Sequence, residues 1–379
     1  MRFETSAIHV GQEPDEATGA AVVPIYQTST YVQEAVGKHK GFEYSRTDNP
    51  TRQALETCLA ALEGVPHALA FASGMAAITT LALTLPAGRK VLIPDDVYGG
   101  TYRLFAKVLA DRDVSYATVD MSDLDAVADV TTDEVGLILA ETPTNPLLKI
   151  LDLEGLARIA NRVGALLAVD NTFATPFIQL PIELGAHVSL YSATKYLGGH
   201  SDLVAGSIAT ADGELAERLR FLQNAVGAIL GPFDSWLLLR GLKTLALRMR
   251  AHSAGAARVA AWLAEQAPVS KVYFPGSPSH PGYDIATRQM SAAGEPLYGG
   301  MVSIEVDSLE RALQICERTE LFFLGESLGG VESLIEHPGR MTHASLAGSG
   351  MEVPDTLIRI SVGIEHPDDL IADLSRALA

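Results

Sequence analysis

The sequence predicts an α/β fold: a mainly parallel central sheet with helices on both faces, followed by a smaller α+β C-terminal domain. Three observations predict it. From residue 65 to about 210, short apolar runs alternate with helix-length segments, the pattern of βαβ units. Val65–Gly88 contains no Asp, Glu, Lys or Arg, as expected where strands are covered on both faces. Past residue 300 a strand, a helix, a strand and a final helix replace that alternation.

Taken in order, residues 1–60 hold few convincing elements and read as an arm. Strands are expected at His67–Ala72, Lys90–Pro94, Ser115–Val119, Val135–Ala140, Leu166–Val169 and Val188–Tyr191, each a short apolar run. Helices are expected among them at Met75–Leu85, Thr101–Asp111 and Leu153–Val163. Val65–Gly88 is long enough to cross a bilayer, but Pro66, Ser73-Gly74, three threonines and Pro86 divide it into strand, turn and helix. A helical region, Gly213–Gln266, follows and includes the Leu/Arg-rich run Trp236–Arg250. Then come a strand at Met301–Val306, a helix at Leu309–Thr319 and a strand at Leu357–Val362. The last helix opens at Pro367, suited to a first turn, with Asp368 and Asp369 complementing its dipole. Ala292–Tyr298 reads as a short insertion without an assigned role. The expected division is an arm (1–60), a large domain (61–244) and a C-terminal domain (245–379).

Composition excludes several classes of function. With 47% apolar and 20% charged residues, the chain is neither disordered nor collagenous. Its 28 basic and 46 acidic side chains, net −18, argue against a nucleic-acid partner, whose phosphates need a basic surface. Met1-Arg2-Phe3-Glu4 lacks the basic-then-apolar layout of a secretory leader, and no membrane partner is expected. Two cysteines, Cys58 and Cys316, are too few for a disulfide framework; a cytoplasmic setting and buried, inert thiols are expected. The histidines show no metal-ligand spacing, so His200, His337 and His343 are expected as structural hydrogen-bonding groups and no metal is expected.

Ligands of open α/β sheets sit beyond the carboxyl ends of the strands, and five such ends carry chemistry. Ser73-Gly74-Met75 opens a helix, and backbone N–H groups at a helix start suit a phosphate. Asp95-Asp96-Val97-Tyr98-Gly99-Gly100-Thr101 is a Gly-rich loop presenting a tyrosine. Glu141-Thr142-Pro143-Thr144-Asn145-Pro146 holds an asparagine between prolines. Asp170-Asn171-Thr172 places a carboxylate, and Ser192-Ala193-Thr194-Lys195 a lysine beside two hydroxyls. Singly, Asp170 serves equally well as a turn cap, Lys195 as a solvated loop lysine and Arg359 as a surface strand arginine. Together the strand-end residues meet the needs of pyridoxal 5′-phosphate: an amine for the aldehyde, a carboxylate for the pyridine nitrogen, phosphate donors and a ring to stack on. Neither G-x-G-x-x-G nor G-x-x-x-x-G-K-[ST] occurs.

Tyr44-Ser45-Arg46-Thr47-Asp48-Asn49-Pro50-Thr51-Arg52, Asp96–Arg103, Glu141–Pro146 and Ser192–Asp202 resemble the Cys/Met-metabolism family of PLP enzymes. Glu326–Leu334 and Leu357–Gly363 extend the resemblance over essentially the whole chain, in family order. It implies the aspartate aminotransferase-like fold (fold type I). It also implies roles: Lys195 as Schiff-base lysine, Asp170 on the pyridinium, Tyr98 stacked on the ring, and Asn145 near the 3-hydroxyl. Gly74, Met75, Ser192 and Thr194 match the phosphate cradle, and Tyr44 and Arg46 a pair reaching the phosphate from a neighbouring subunit. That last match implies an obligate homodimer, paired into a tetramer. Ser327 and Arg359 match contacts to the substrate carboxylate, for which a forked guanidinium is suited. Glu43, Arg103 and Glu326 match polar positions around the distal part of the substrate; as residues they equally suit surface charge. Asp48 stands where the family often has glycine, and Gly100 where methionine-cleaving members have cysteine.

The resemblance implies a small amino-acid substrate, with Lys195 as general base at Cα and Tyr98 as a candidate proton donor or shuttle. Cystathionine γ-lyase activity, giving cysteine, 2-oxobutanoate and ammonia, is the first expectation, because no feature is dedicated to an acylated homoserine. Cystathionine γ-synthase activity, from O-succinyl- or O-acetylhomoserine plus cysteine, is the alternative. Methionine or homocysteine γ-lyase activity and a non-catalytic oligomer rank behind.

Overall fold

The computed structural model describes residues 1–110, 114–343 and 351–379. The first two helices are α1 (Phe3–His9) and α2 (Pro50–Glu63). The central part runs β1 (His67–Phe71), α3 (Gly74–Ala82), β2 (Lys90–Pro94), α4 (Gly99–Arg103), β3 (Ser115–Val119), α5 (Leu124–Val130), β4 (Val135–Glu141), α6 (Leu153–Val163), β5 (Leu166–Asp170), α7 (Thr175–Ile178), β6 (Val188–Tyr191) and β7 (Gly206–Thr210). Three helices follow, α8 (Gly213–Val226), α9 (Pro232–Leu242) and α10 (Leu245–Leu263). The rest is β8 (Val269–Tyr273), α11 (Tyr283–Gln289), β9 (Ser291–Ala292), β10 (Glu295–Pro296), β11 (Met301–Val306), α12 (Leu309–Arg318), β12 (Phe323–Leu324), β13 (Leu334–Glu336), β14 (Leu357–Ser361) and α13 (Pro367–Leu378). Past α4 the chain continues as a π-helical stretch, Leu104–Leu109; Asp111, the expected end of that helix, lies outside the described residues.

The large sheet has the order β1-β7-β6-β5-β4-β2-β3. Strands β3, β2, β4, β5 and β6 pair in parallel, and β7 alone runs antiparallel to both of its neighbours. Successive residues of β4 alternate between two cores. Leu137 and Leu139 face the side packed by α3 and the π-helical stretch, while Ile138 and Ala140 face α6. Each buried Leu or Ile among them contributes roughly 1.5–3 kcal/mol relative to exposure. The result is a sheet covered on both sides, with every parallel strand pointing its carboxyl end to one edge.

The reading of residues 1–60 as an arm needs correction at its end. Asn49 caps α2 by accepting the backbone N–H groups of Thr51 and Arg52, with Pro50 at the first helical position. α2 then buries Leu55, Cys58, Leu59 and Leu62 in the core shared with β1 and α9, so a boundary at residue 60 would cut a packed helix. Strand β7 and the short strands β8, β12 and β13 were not expected. Most of Ala292–Tyr298 falls in the β9–β10 hairpin, which turns on Ala293 and Gly294, both at positive φ.

A second sheet, β12-β13-β14-β11-β8, lies with α12 and α13 in the C-terminal part. Helix α10 joins the two parts: Leu245 and Met249 belong to the first core, Ala256, Val259 and Leu263 to the second. Cys58 and Cys316 are both buried, and burial pushes each thiol up to about 12. No helix of the described residues is long and apolar enough to cross a membrane.

Candidate active site

The carboxyl ends of β1, β2, β4, β5 and β6 converge with three segments of the C-terminal part on a cavity of about 320 Å³. Gly74, Met75, Tyr98, Asn145, Asp170, Ser192, Thr194, Lys195, Glu326, Ser327 and Arg359 all line it. A larger groove of about 810 Å³ beside Lys149 and α10 contains none of them.

Each position has a local cause. Ser73 caps α3, its Oγ accepting the N–H of Ala76 at 3.0 Å, so the Gly74 and Met75 N–H groups stay at the cavity. A Cβ on Gly74 would lie 3.0 Å from Ser192 Cα, and only a bare backbone lets these two loops approach so closely. Similarly, a Cβ on Gly100 would lie 2.4 Å from Tyr98 Cε1, so Gly100 makes room for the ring. Asp170 accepts from Thr172 twice, from N at 3.1 Å and Oγ1 at 2.5 Å, while Thr172 Oγ1 also accepts the Ser192 N–H at 2.8 Å. Burial pushes the Asp170 carboxyl up to about 6.

Lys195 Nζ donates to Ser327 Oγ at 2.8 Å. Burial, reinforced by the Arg359 charge, lowers its pKa to about 8, so a minor fraction of the amine is already neutral near physiological pH. Ser327 holds φ at +96°, a strained conformation for a residue with a side chain. Its carbonyl accepts Arg359 Nη2 at 2.8 Å, and Asn145 Oδ1 accepts Arg359 Nη1 at 2.9 Å. Arg359 is buried, and the Glu336 carboxylate, directly opposite across β13 and β14, pairs with it at 2.9 Å.

The cavity can hold an anion at the α3 start and a flat ring between Tyr98 and Asp170. An aldehyde would meet Lys195, and a carboxylate would meet Arg359. Those are the parts of a pyridoxal phosphate site, and the comparisons agree. The family model described as "Cys/Met metabolism PLP-dependent enzyme" matches residues 4–379. The chain belongs to that family. It is 55% identical to a cystathionine γ-synthase of Mycobacterium tuberculosis, covering 99% of this chain and 96% of that one. It is 52% identical to a cystathionine β-lyase of Lactococcus lactis, covering 99% and 98%. The crystal structure of cystathionine γ-lyase from Lactobacillus plantarum complexed with L-serine superposes with a TM-score of 0.95 at 45% identity, covering 100% of this chain and 98% of that one.

As a Cys/Met-metabolism enzyme the chain is PLP-dependent and has the expected fold type I architecture, with the single antiparallel strand β7 as its departure from a parallel sheet. Four expected site residues lie away from this cavity. Tyr44 is half exposed, and Arg46 Nη1 donates to the carbonyl and side chain of Asn224 at 2.7 and 3.0 Å, its guanidinium 5.5 Å from the Tyr44 ring. Glu43 accepts from Gln33, and Arg103 does not line the cavity but helps depress His343. His200, His337 and His343 each hydrogen-bond a backbone carbonyl: those of Gly198, Asp355 and Asn145.

The sequence reading overlooked Glu141, Thr172, Thr342 and Glu336. Glu141 and Thr172 sit within quoted motifs at strand ends, so position alone could have found them. Glu336 had no such signal, because its partner Arg359 is 23 residues away and only strand pairing brings them together.

Proposed function

We propose that this PLP enzyme acts at Cγ of amino acids of the cystathionine kind, with γ-replacement, cystathionine from an acylated homoserine and cysteine, as its principal reaction. The observation that carries the reading is the single cavity joining Lys195, Asp170 and Tyr98 to Arg359 and Glu326. Replacement is favoured by the likeness to the M. tuberculosis cystathionine γ-synthase, 55% identical to the chain. γ-Elimination from cystathionine is kept as the second reading, supported by the likeness to the L. plantarum γ-lyase.

Bound in the cavity, the cofactor supplies an aldehyde for the substrate amine and a ring that takes up electron density from Cα. Gly74, Met75, Ser192 and Thr194 hold its phosphate, and Tyr44 and Arg46 of a neighbouring subunit complete that cup. Asp170 keeps the ring nitrogen protonated, Tyr98 covers one ring face, and Asn145 meets the 3-hydroxyl. Arg359 and Ser327 hold the substrate carboxylate and thereby fix which Cα bond faces Lys195. The Lys195 amine, partly neutral because of its burial, takes the Cα proton and then a Cβ proton, so that the γ-substituent can leave, and returns a proton to each carbon once the new bond at Cγ has formed. Tyr98 delivers or removes a proton at the γ-substituent. Glu326, the one of the three expected distal residues that lines this cavity, faces the distal end of the substrate. The working form is a homodimer, assembled as a tetramer.

A substrate panel tests this: cystathionine alone against O-succinyl- and O-acetylhomoserine plus cysteine, scoring 2-oxobutanoate and cystathionine. Replacement exceeding elimination is expected. Elimination dominating under both conditions selects the second reading, and no product from either overturns γ-chemistry. Lys195→Ala should lose at least ~10³-fold in rate whichever product is scored.

A further inference from the structure

We propose that Asp96 and Glu141 form a reciprocal carboxyl clasp that sets the position of Tyr98 over the cofactor ring, making both positioning residues for the reaction. The inference rests on reading Tyr98 as the group stacked on the ring. Two loops leave the adjacent strands β2 and β4, and each carries a buried carboxyl that grips the other. From the β2 side, Asp96 Oδ2 accepts the Thr144 hydroxyl and the Leu147 N–H, the latter at 3.1 Å. From the end of β4, Glu141 Oε2 accepts the Tyr98 N–H at 3.2 Å, and the Asn145 backbone bonds it as well. One pair of carboxyls therefore fixes the backbones of the residues that meet the ring face and its 3-hydroxyl. The Tyr98 ring lies directly against its own loop at Gly100, so a shift of the loop moves the ring.

Glu141 also stands opposite Asp170 across β4 and β5. Thr172 donates twice to Asp170 and holds the charge there, so Glu141 is the neutral member of the pair, raised by burial and by the Asp170 charge. The clasp needs an acceptor at Glu141, not a charge. Glutamine is its close mimic and leucine is not.

The test uses the full-length protein stripped of cofactor and titrated with pyridoxal phosphate. Glu141→Gln should bind within about threefold of wild type and keep the circular dichroism of the cofactor band. Glu141→Leu should bind about tenfold more weakly, alter that band, and lower kcat more than it raises KM. Thr144→Val, which removes the hydroxyl from Asp96, should shift the band in the same direction. The double variant should lose less than the product of the two single losses, because both grips act on one pair of loops. An unchanged band and affinity in Glu141→Leu, glutamine as damaging as leucine, or independent losses would each overturn the clasp. Should Glu141→Leu not fold, Thr144→Val alone decides by the same reading. A wild type that forms no cofactor band would instead count against the cofactor reading of the cavity.

Discussion

Lys195 and Glu63 show burial acting on opposite charges, lowering the amine to about 8 and raising the carboxyl to about 7. For Lys195 the effect suits the proposed chemistry, since a neutral amine can attack an aldehyde and accept a proton. Glu63 lies outside the cavity. It accepts the Tyr191 hydroxyl, which also accepts from Asn171 at 2.8 Å, and its second oxygen has no hydrogen-bond partner. Its folded pKa lies above its ordinary 4.5, so its contribution to stability is full below about 4.5 and is lost as pH rises through about 7. Replacing Glu63 by Gln should remove that loss, on the order of 3 kcal/mol by pH 8. Urea denaturation of wild type and Glu63→Gln at pH 5, 6.5 and 8 checks this. Parallel stability curves across those pH values would contradict it.

At the scale of elements, α2 joins the arm to the core through one residue. Besides capping α2, Asn49 Nδ2 donates to the Tyr26 carbonyl at 2.9 Å and to the Tyr31 and Ser45 hydroxyls at 3.1 Å each. Asn49→Ala should cost about 1–2 kcal/mol for the cap and more for the buried bonds, and should make residues 25–45 easier for a protease to cut. Limited proteolysis with a thermal melt reads both effects; unchanged cleavage would show that the arm is held by other contacts. The Asn49-Pro50 pair is a helix-start signal legible in the sequence, although α2 itself was not expected. By contrast, Lys90–Pro94, Leu153–Val163 and Met301–Val306 form over the same residues as expected, since each has a strong apolar period. Strand β7 escaped for a physical reason. Gly-Ser-Ile-Ala-Thr carries one bulky side chain, because a Cβ at Gly206 would strike the Ser73 carbonyl at 2.2 Å and the strand must stay slim against the phosphate loop. In the site, residues at strand ends were legible from topology. Glu336 and the Glu141–Tyr98 tie depend on pairings that no local pattern records.

For the whole molecule, the arm is the part least accounted for by one chain. Val32 and Val36 are 93% and 104% exposed, and Tyr44 and Arg46 stand clear of the chain's own cavity. If these residues complete a neighbour's phosphate cup, two inactive variants should rescue each other. Arg46→Ala mixed with Lys195→Ala, dissociated and reassembled, should recover about a quarter of native activity, because random pairing gives each mixed dimer one intact site. Recovery no greater than the sum of the separate variants would place both residues in one subunit's site. Helix α10, shared by both cores, separates two stages in the chain's order of synthesis. Every strand of the large sheet whose end lines the cavity is translated by Tyr191, whereas Arg359 arrives on β14, 164 residues after Lys195. A nascent chain therefore carries all of its own cavity-lining strand ends before it has the arginine that, in the proposed function, would anchor a substrate carboxylate.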